Sequence, residues 1–178
     1  ELDELAAQDF PVVQIDRKIP ESGFPAVVID NQAAAYKATK YLIDLGHQKI
    51  AHISGDLEVK PAQDRLAGFK SALQETGLSC KEELIREGDY SSQSGYREMK
   101  ELLDLSEQPT AVFIANDLMA LGAYEAVFEA GLKLPEDISI VGYDDIEVAS
   151  VIRPALTTIS QPEYQLGVEA AKLLINNL

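Results

Sequence analysis

The sequence predicts an α/β fold with parallel sheets flanked by helices. Two observations carry this reading. Short β-branched runs alternate with longer segments of helical period, and glycines stand where the helical segments should end. The strand candidates are 11–16 (PVVQID), 26–30 (AVVID), 49–54 (KIAHIS), 83–88 (ELIREG), 110–115 (TAVFIA) and 138–143 (ISIVGY). Between them a helix is predicted over 31–45, with Ala35, Ala38, Tyr41, Leu42 and Leu45 on one face, followed by helices over 62–76, 92–104, 117–130 and 163–176. Gly46, Gly77 and Gly131 follow three of these helices, at the position where a left-handed residue is cheapest as glycine. Pro135 helps to turn the chain from a helix end into the next strand. Residues 144–157 show no clear period and read as a contact-bearing loop.

Composition narrows the function classes. At 178 residues, 46% hydrophobic and 25% charged, the chain can bury a core. Its 15 Lys and Arg stand against 30 Asp and Glu, a formal net charge of −15, so this chain alone does not attract nucleic-acid backbones. Cys80 is the one cysteine, which excludes an internal disulfide and suits a reducing compartment. No run reaches the roughly 18 apolar residues of a membrane span, and the first residues are acidic rather than a basic leader. A soluble, cytoplasmic protein without a membrane partner is expected.

Polar residues recur at the ends of the apolar runs: Asp16, Asp30, the Asn116-Asp117 pair and the Asp144-Asp145 pair. In an open parallel sheet the carboxyl ends of the strands form the crevice where ligands sit, so these groups converge on one place. Asp and Asn are also preferred helix caps. Asp30 and Asp117 are assigned to that structural role. Asp16, Asn116 and Asp144 are assigned to a site, because one cap per helix is sufficient. Arg65, expected in the first turn of its helix, can bring a fork of donors to the same edge. Tyr90, between a strand and a helix, can offer a ring to stack on a ligand. The enzyme alternatives lack their signatures: there is no GxGxxG after a strand, no GxxxxGKS/T and no GxSxG. His47 and His52 have no neighbouring cysteine, so neither a metal nor a cofactor is expected.

Six phrases, YLIDLGHQKIAHISG, RLAGFKSAL, GDYSSQSGY, AVFIANDLMALGAYEA, LPEDISIVGYDDIEVAS and RPALTTISQP, occur in an order and spacing that resembles the effector-binding region of the LacI/GalR family of transcription regulators. The resemblance covers nearly the whole chain. It implies a periplasmic-binding-protein-like architecture of two Rossmann-like lobes with a small effector between them, here one complete lobe and part of a second. Residues 1–46 would belong to the N-terminal lobe, 47–160 to the C-terminal lobe, and 161–178 would return as a helix on the first. Effector contacts are implied for Asp16, Arg65, Tyr90, Asn116, Asp144 and Gln161. The effector would be a sugar, sugar phosphate or nucleobase. A homodimer is implied through residues 118–130 and 146–154. Operator DNA would be reached only through a helix-turn-helix headpiece that this sequence lacks, as it lacks the family's last strand. The alternative is a periplasmic sugar-binding protein of a transporter, which shares the cleft chemistry and differs by export.

Overall fold

The computed structural model describes residues 2–8 and 10–177. The chain divides into two compact units: Asn31–Ser160, and a smaller one formed from the residues before Asn31 and after Ser160.

In the larger unit the apolar runs form a five-stranded parallel sheet in the order β4-β3-β5-β6-β7. The strands are β3 (Ile50–Ser54), β4 (Ile85–Glu87), β5 (Ala111–Ile114), β6 (Ser139–Asp144) and β7 (Thr157–Ser160). Every residue of β3 and β5 is buried, as expected of central strands covered on both faces. On one face α2 (Asn31–Asp44) packs against α3 (Lys60–Glu75). On the other, α4 (Ser92–Leu103) packs against α5 (Asp117–Glu129) over a core that includes Ile53, Met99, Ile114, Met119 and Val127. That second pair is held very close. A Cβ at Gly122 of α5 would overlap the Ser92 carbonyl of α4, and one at Gly95 would overlap the Met119 backbone. His47 bridges the entry ends of the strands, with ring nitrogens 3.0 Å from Thr110 Oγ1 and 3.0 Å from Ser139 Oγ.

The smaller unit holds α1 (Leu2–Ala7), the short parallel pair β1 (Gln14–Ile15) and β2 (Ala26–Val27), and α7 (Glu163–Asn176), which packs on both strands. The Gln14 side chain ties the β1–β2 connection together: Nε2 donates to Ser22 Oγ at 2.8 Å and Oε1 accepts from the Ile19 amide at 2.6 Å.

Several features differ from the sequence reading, among them these. The boundary expected at Gly46 falls after Asp30, because α2 buries Ala35, Ala38 and Leu42 against the larger unit, and Gly68 of α3 meets the Gln32 carbonyl. The stretch 144–157 is not wholly loop, since it contains α6 (Glu147–Val151); five residues are too few to show a period. β7 was not foreseen as a strand, because its edge position leaves Thr157–Ser160 only partly covered and without an apolar run.

Candidate functional site

From β3 the chain passes to β4 on one side of the sheet and then to β5 on the other. β3 and β5 therefore flank a topological switch point, where connections diverge and leave a crevice at the carboxyl ends of the strands. Ser54-Gly55 and Ala115-Asn116 close these two strands. Four of the expected residues gather there.

Arg65 lies in the second turn of α3 rather than the first, and it is not a surface residue: only 4% of it is exposed. Its Nε donates to Asn31 Oδ1 at 2.8 Å, and Nη1 donates to the Ala115 carbonyl at the end of β5. The guanidinium carbon sits 3.7 Å from the centre of the Tyr143 ring, and Nη1 is 4.0 Å from Asp144 Oδ1. A planar cation whose donors are distributed this way is held in one orientation. Asn31 is the partner that makes this possible, because its Oδ1 also accepts from the Tyr143 hydroxyl at 3.0 Å. Neither Asn31 nor Tyr143 was singled out in the sequence. The signal for Asn31 was present, since Asp30-Asn31 repeats the acid-amide pairing at a helix start seen at Asn116-Asp117.

Tyr90 follows β4 in the left-handed region, with φ of 67°. A bulky residue rarely adopts that conformation, which favours glycine. Its ring lies over Gly55, where any Cβ would overlap it, so glycine at the end of β3 is the condition for the ring's placement. Asn116 holds the same turn, because its Nδ2 donates to the Tyr90 carbonyl at 3.1 Å. The cap of α5 falls one residue earlier than expected. Asn116 is the N-cap of α5, its Oδ1 accepting from the Met119 amide at 2.9 Å, whereas Asp117 is wholly buried beneath β6. A cap requires an extended backbone one residue before the helix, and Asn116 supplies it with φ of −154°.

Asp144 ends β6 with φ of 114°, and Asp145 follows with φ of 66°. Asp16 follows β1 in the same region, with φ of 67°. Three expected contacts, Asp16, Tyr90 and Asp144, thus share a strained backbone at a strand end. Such conformations cost about 1–3 kcal/mol each and collect at ligand sites. Asp16 is exposed and Gln161 half-buried, both in the smaller unit; the structure groups Arg65, Tyr90, Asn116 and Asp144 in the larger one.

A buried histidine adjoins this cluster. His52 of β3 is stacked between Phe69 and Phe113, at centroid distances of 5.1 and 4.8 Å. Burial lowers its pKa to about 4, with the nearby Arg65 charge adding to the effect, so the ring is neutral at pH 7. It places no second cation beside Arg65. Among the described residues no cluster of His, Cys, Asp and Glu could hold a metal, and no helix is long and apolar enough to cross a membrane.

Arg65, Tyr90, Asn116 and Asp144 thus meet at the carboxyl-end edge of a parallel α/β sheet, beside its switch point. The signature of a periplasmic binding protein-like domain matches residues 39–178. The chain is 42% identical over 168 residues to the HTH-type transcriptional repressor CytR of Escherichia coli K12, covering 94% of this chain and 49% of that one. It is 41% identical over 172 residues to the HTH-type transcriptional repressor PurR of Erwinia tasmaniensis, covering 96% and 50%. Among solved structures, a sugar-binding transcriptional regulator of the LacI family from Escherichia coli, complexed with phosphate, superposes with a TM-score of 0.90 at 32% identity, covering all of this chain and 66% of that one. The chain belongs to the periplasmic binding protein-like family, in its LacI/GalR branch of transcriptional regulators. It spans about half the length of the curated relatives it matches.

Proposed function

We propose that this chain is the effector-sensing and dimerisation region of a LacI-type transcription regulator, and that its effector is a small hydroxylated or heterocyclic metabolite: a sugar, sugar phosphate or nucleobase. One observation carries the reading. Tyr90 and Asp144 both hold left-handed backbone conformations beside a switch point, with the buried Arg65 4.0 Å from Asp144 and Asn116 bracing Tyr90. Strain of this kind persists where the surrounding contacts hold it, and its usual return is a preorganised site. Asp144 would accept hydrogen bonds from hydroxyl or ring N–H groups, and the Tyr90 ring would stack on a sugar face or base. Asn116 has one N–H bound to Tyr90, which leaves its second for the ligand.

The dimer would use the outer face of α5 with α6. Leu118 and Phe128 are each 47% exposed and Val151 is 62% exposed, an apolar stretch that a partner would cover. Operator DNA would be bound by a headpiece outside this chain, consistent with the chain's charge of −15.

The test is a thermal-shift screen of sugars, sugar phosphates, nucleosides and nucleobases on the full-length regulator, followed by calorimetry. Asp144→Asn should weaken the ligand found by about tenfold or more, through loss of a charge-assisted hydrogen bond. Unchanged affinity in Asp144→Asn would remove this edge from the site.

A further inference from the structure

A buried carboxylate that makes no contact assigned to the site lies beneath this edge. Asp117 has no exposed surface. Thr158 Oγ1 of β7 donates to its Oδ1 at 2.6 Å, and the Ile146 amide donates to its Oδ2 at 3.0 Å. Gly142, in the middle of β6, has to be glycine for the carboxylate to fit, because a Cβ there would overlap Asp117 Oδ1. A single side chain thus joins the first turn of α5, the centre of β6, the turn that follows β6, and β7.

The turn it holds is the strained one. Asp144 and Asp145 are consecutive non-glycine residues with positive φ, and the residue that completes the turn, Ile146, is the one whose amide Asp117 accepts from. Ile146 is also the N-cap residue of α6, and its own side chain makes no cap bond, so the α6 start is fixed from outside the helix. Burial raises the Asp117 pKa, while the Thr158 hydroxyl and the backbone groups of Ile146, Asp145 and Tyr143 favour the ionised form. An ionised acceptor at a helix N-terminus is further favoured by the helix dipole.

We propose that Asp117 is a positioning residue that anchors the Asp144-Asp145-Ile146 turn, setting the Asp144 carboxylate at the strand ends and fastening α6 to the same point. The functional part of this rests on the reading of Asp144 as an effector contact. The mechanical consequence is that the ligand edge and the proposed dimer face share one anchor. A ligand that pulls on Asp144 pulls on the start of α6 through two peptide units.

The test is hydrogen exchange on the full chain without ligand, read by mass spectrometry over peptides covering 143–146 and 147–152, with β3 as the internal reference. Asp117→Asn keeps the size of the side chain but replaces one acceptor oxygen by a donor. Exchange in both peptides should rise by about tenfold or more while β3 is unchanged, the mark of a local opening rather than a global one. Thr158→Val, which keeps the bond to Ile146, should accelerate the same peptides less. Unchanged exchange over 143–152 in Asp117→Asn, or an equal rise in β3, would overturn the anchor. If Asp117→Asn fails to fold, Thr158→Val decides, and unchanged exchange there overturns the proposal. Since no ligand is present, failure of the anchor leaves the ligand screen standing, and failure of that screen leaves the anchor intact.

Discussion

Replacing Arg65 by methionine tests the central cluster most severely. Methionine retains much of the side-chain volume and removes the charge and all donors. The variant loses the bond to Asn31, the bond to the Ala115 carbonyl, the contact with the Tyr143 ring and the pairing with Asp144. Hydrogen bonds from a charged donor contribute about 1.5–3 kcal/mol each, and a desolvated cation–π contact adds up to about 2 kcal/mol. Relief from burying a cation takes back part of this sum, leaving a net loss of about 3 kcal/mol. A domain of this size holds only about 5–15 kcal/mol, and 1 kcal/mol corresponds to about 2–4 °C in melting temperature. The expected drop is therefore about 10 °C, read from urea titration and thermal melts of wild type and variant under one buffer. A loss below about 1 kcal/mol would refute the view that Arg65 is the tie of this edge. One practical consequence follows: loss of ligand affinity in an Arg65 variant does not by itself prove contact, because the fold loosens as well. Asp144→Asn is the cleaner probe.

Further outcomes follow from the same geometry. His52 sits near 4 in the folded chain against an ordinary value of 6.5, so below pH 6.5 the unfolded chain binds the proton first. Stability from this group is complete above pH 6.5 and falls as pH drops towards 4, by on the order of 3 kcal/mol; His52→Phe should flatten that part of a stability–pH profile, and an unaltered slope would count against a neutral buried ring. Gly122→Ala should lower the urea midpoint by an amount worth about 1–3 kcal/mol, since its Cβ meets a backbone carbonyl that cannot swing aside; a neutral result would mean that α4 and α5 are less close than described. Gly55→Ala, by contrast, meets the Tyr90 ring first, a side chain that can swing aside; it should leave the midpoint within about 1 kcal/mol and weaken ring-bearing ligands, and calorimetry showing equal affinity would separate Tyr90 from the site. Phe128→Glu on the exposed face of α5 should shift the full-length regulator from dimer to monomer in sedimentation velocity; a persistent dimer would place the interface elsewhere.

The alternation of short apolar runs with helical periods was sufficient, in the sequence, to define a parallel sheet covered by helices, because burial on both faces demands such runs wherever a strand is central. The cores of β3 and β5 and the helices over 31–44, 92–103 and 163–176 were legible for that reason. The polar strand ends were legible as well, since a break in an apolar run needs no partner to be seen. What each polar residue does there was not. Asn116 and Asp117 are neighbours of similar shape, and only the fold decides that the first caps α5 while the second is buried against Gly142 and Thr158. The burial of Arg65 depends on Asn31, Ala115 and Tyr143, which lie up to 78 positions away and carry no local mark. Nor could pattern alone place α2 in the larger unit, because its amphipathic face says that it packs and not on what. Local periodicity records how each segment meets water; which segments meet one another is a property of the assembled chain, and the site is made of those meetings.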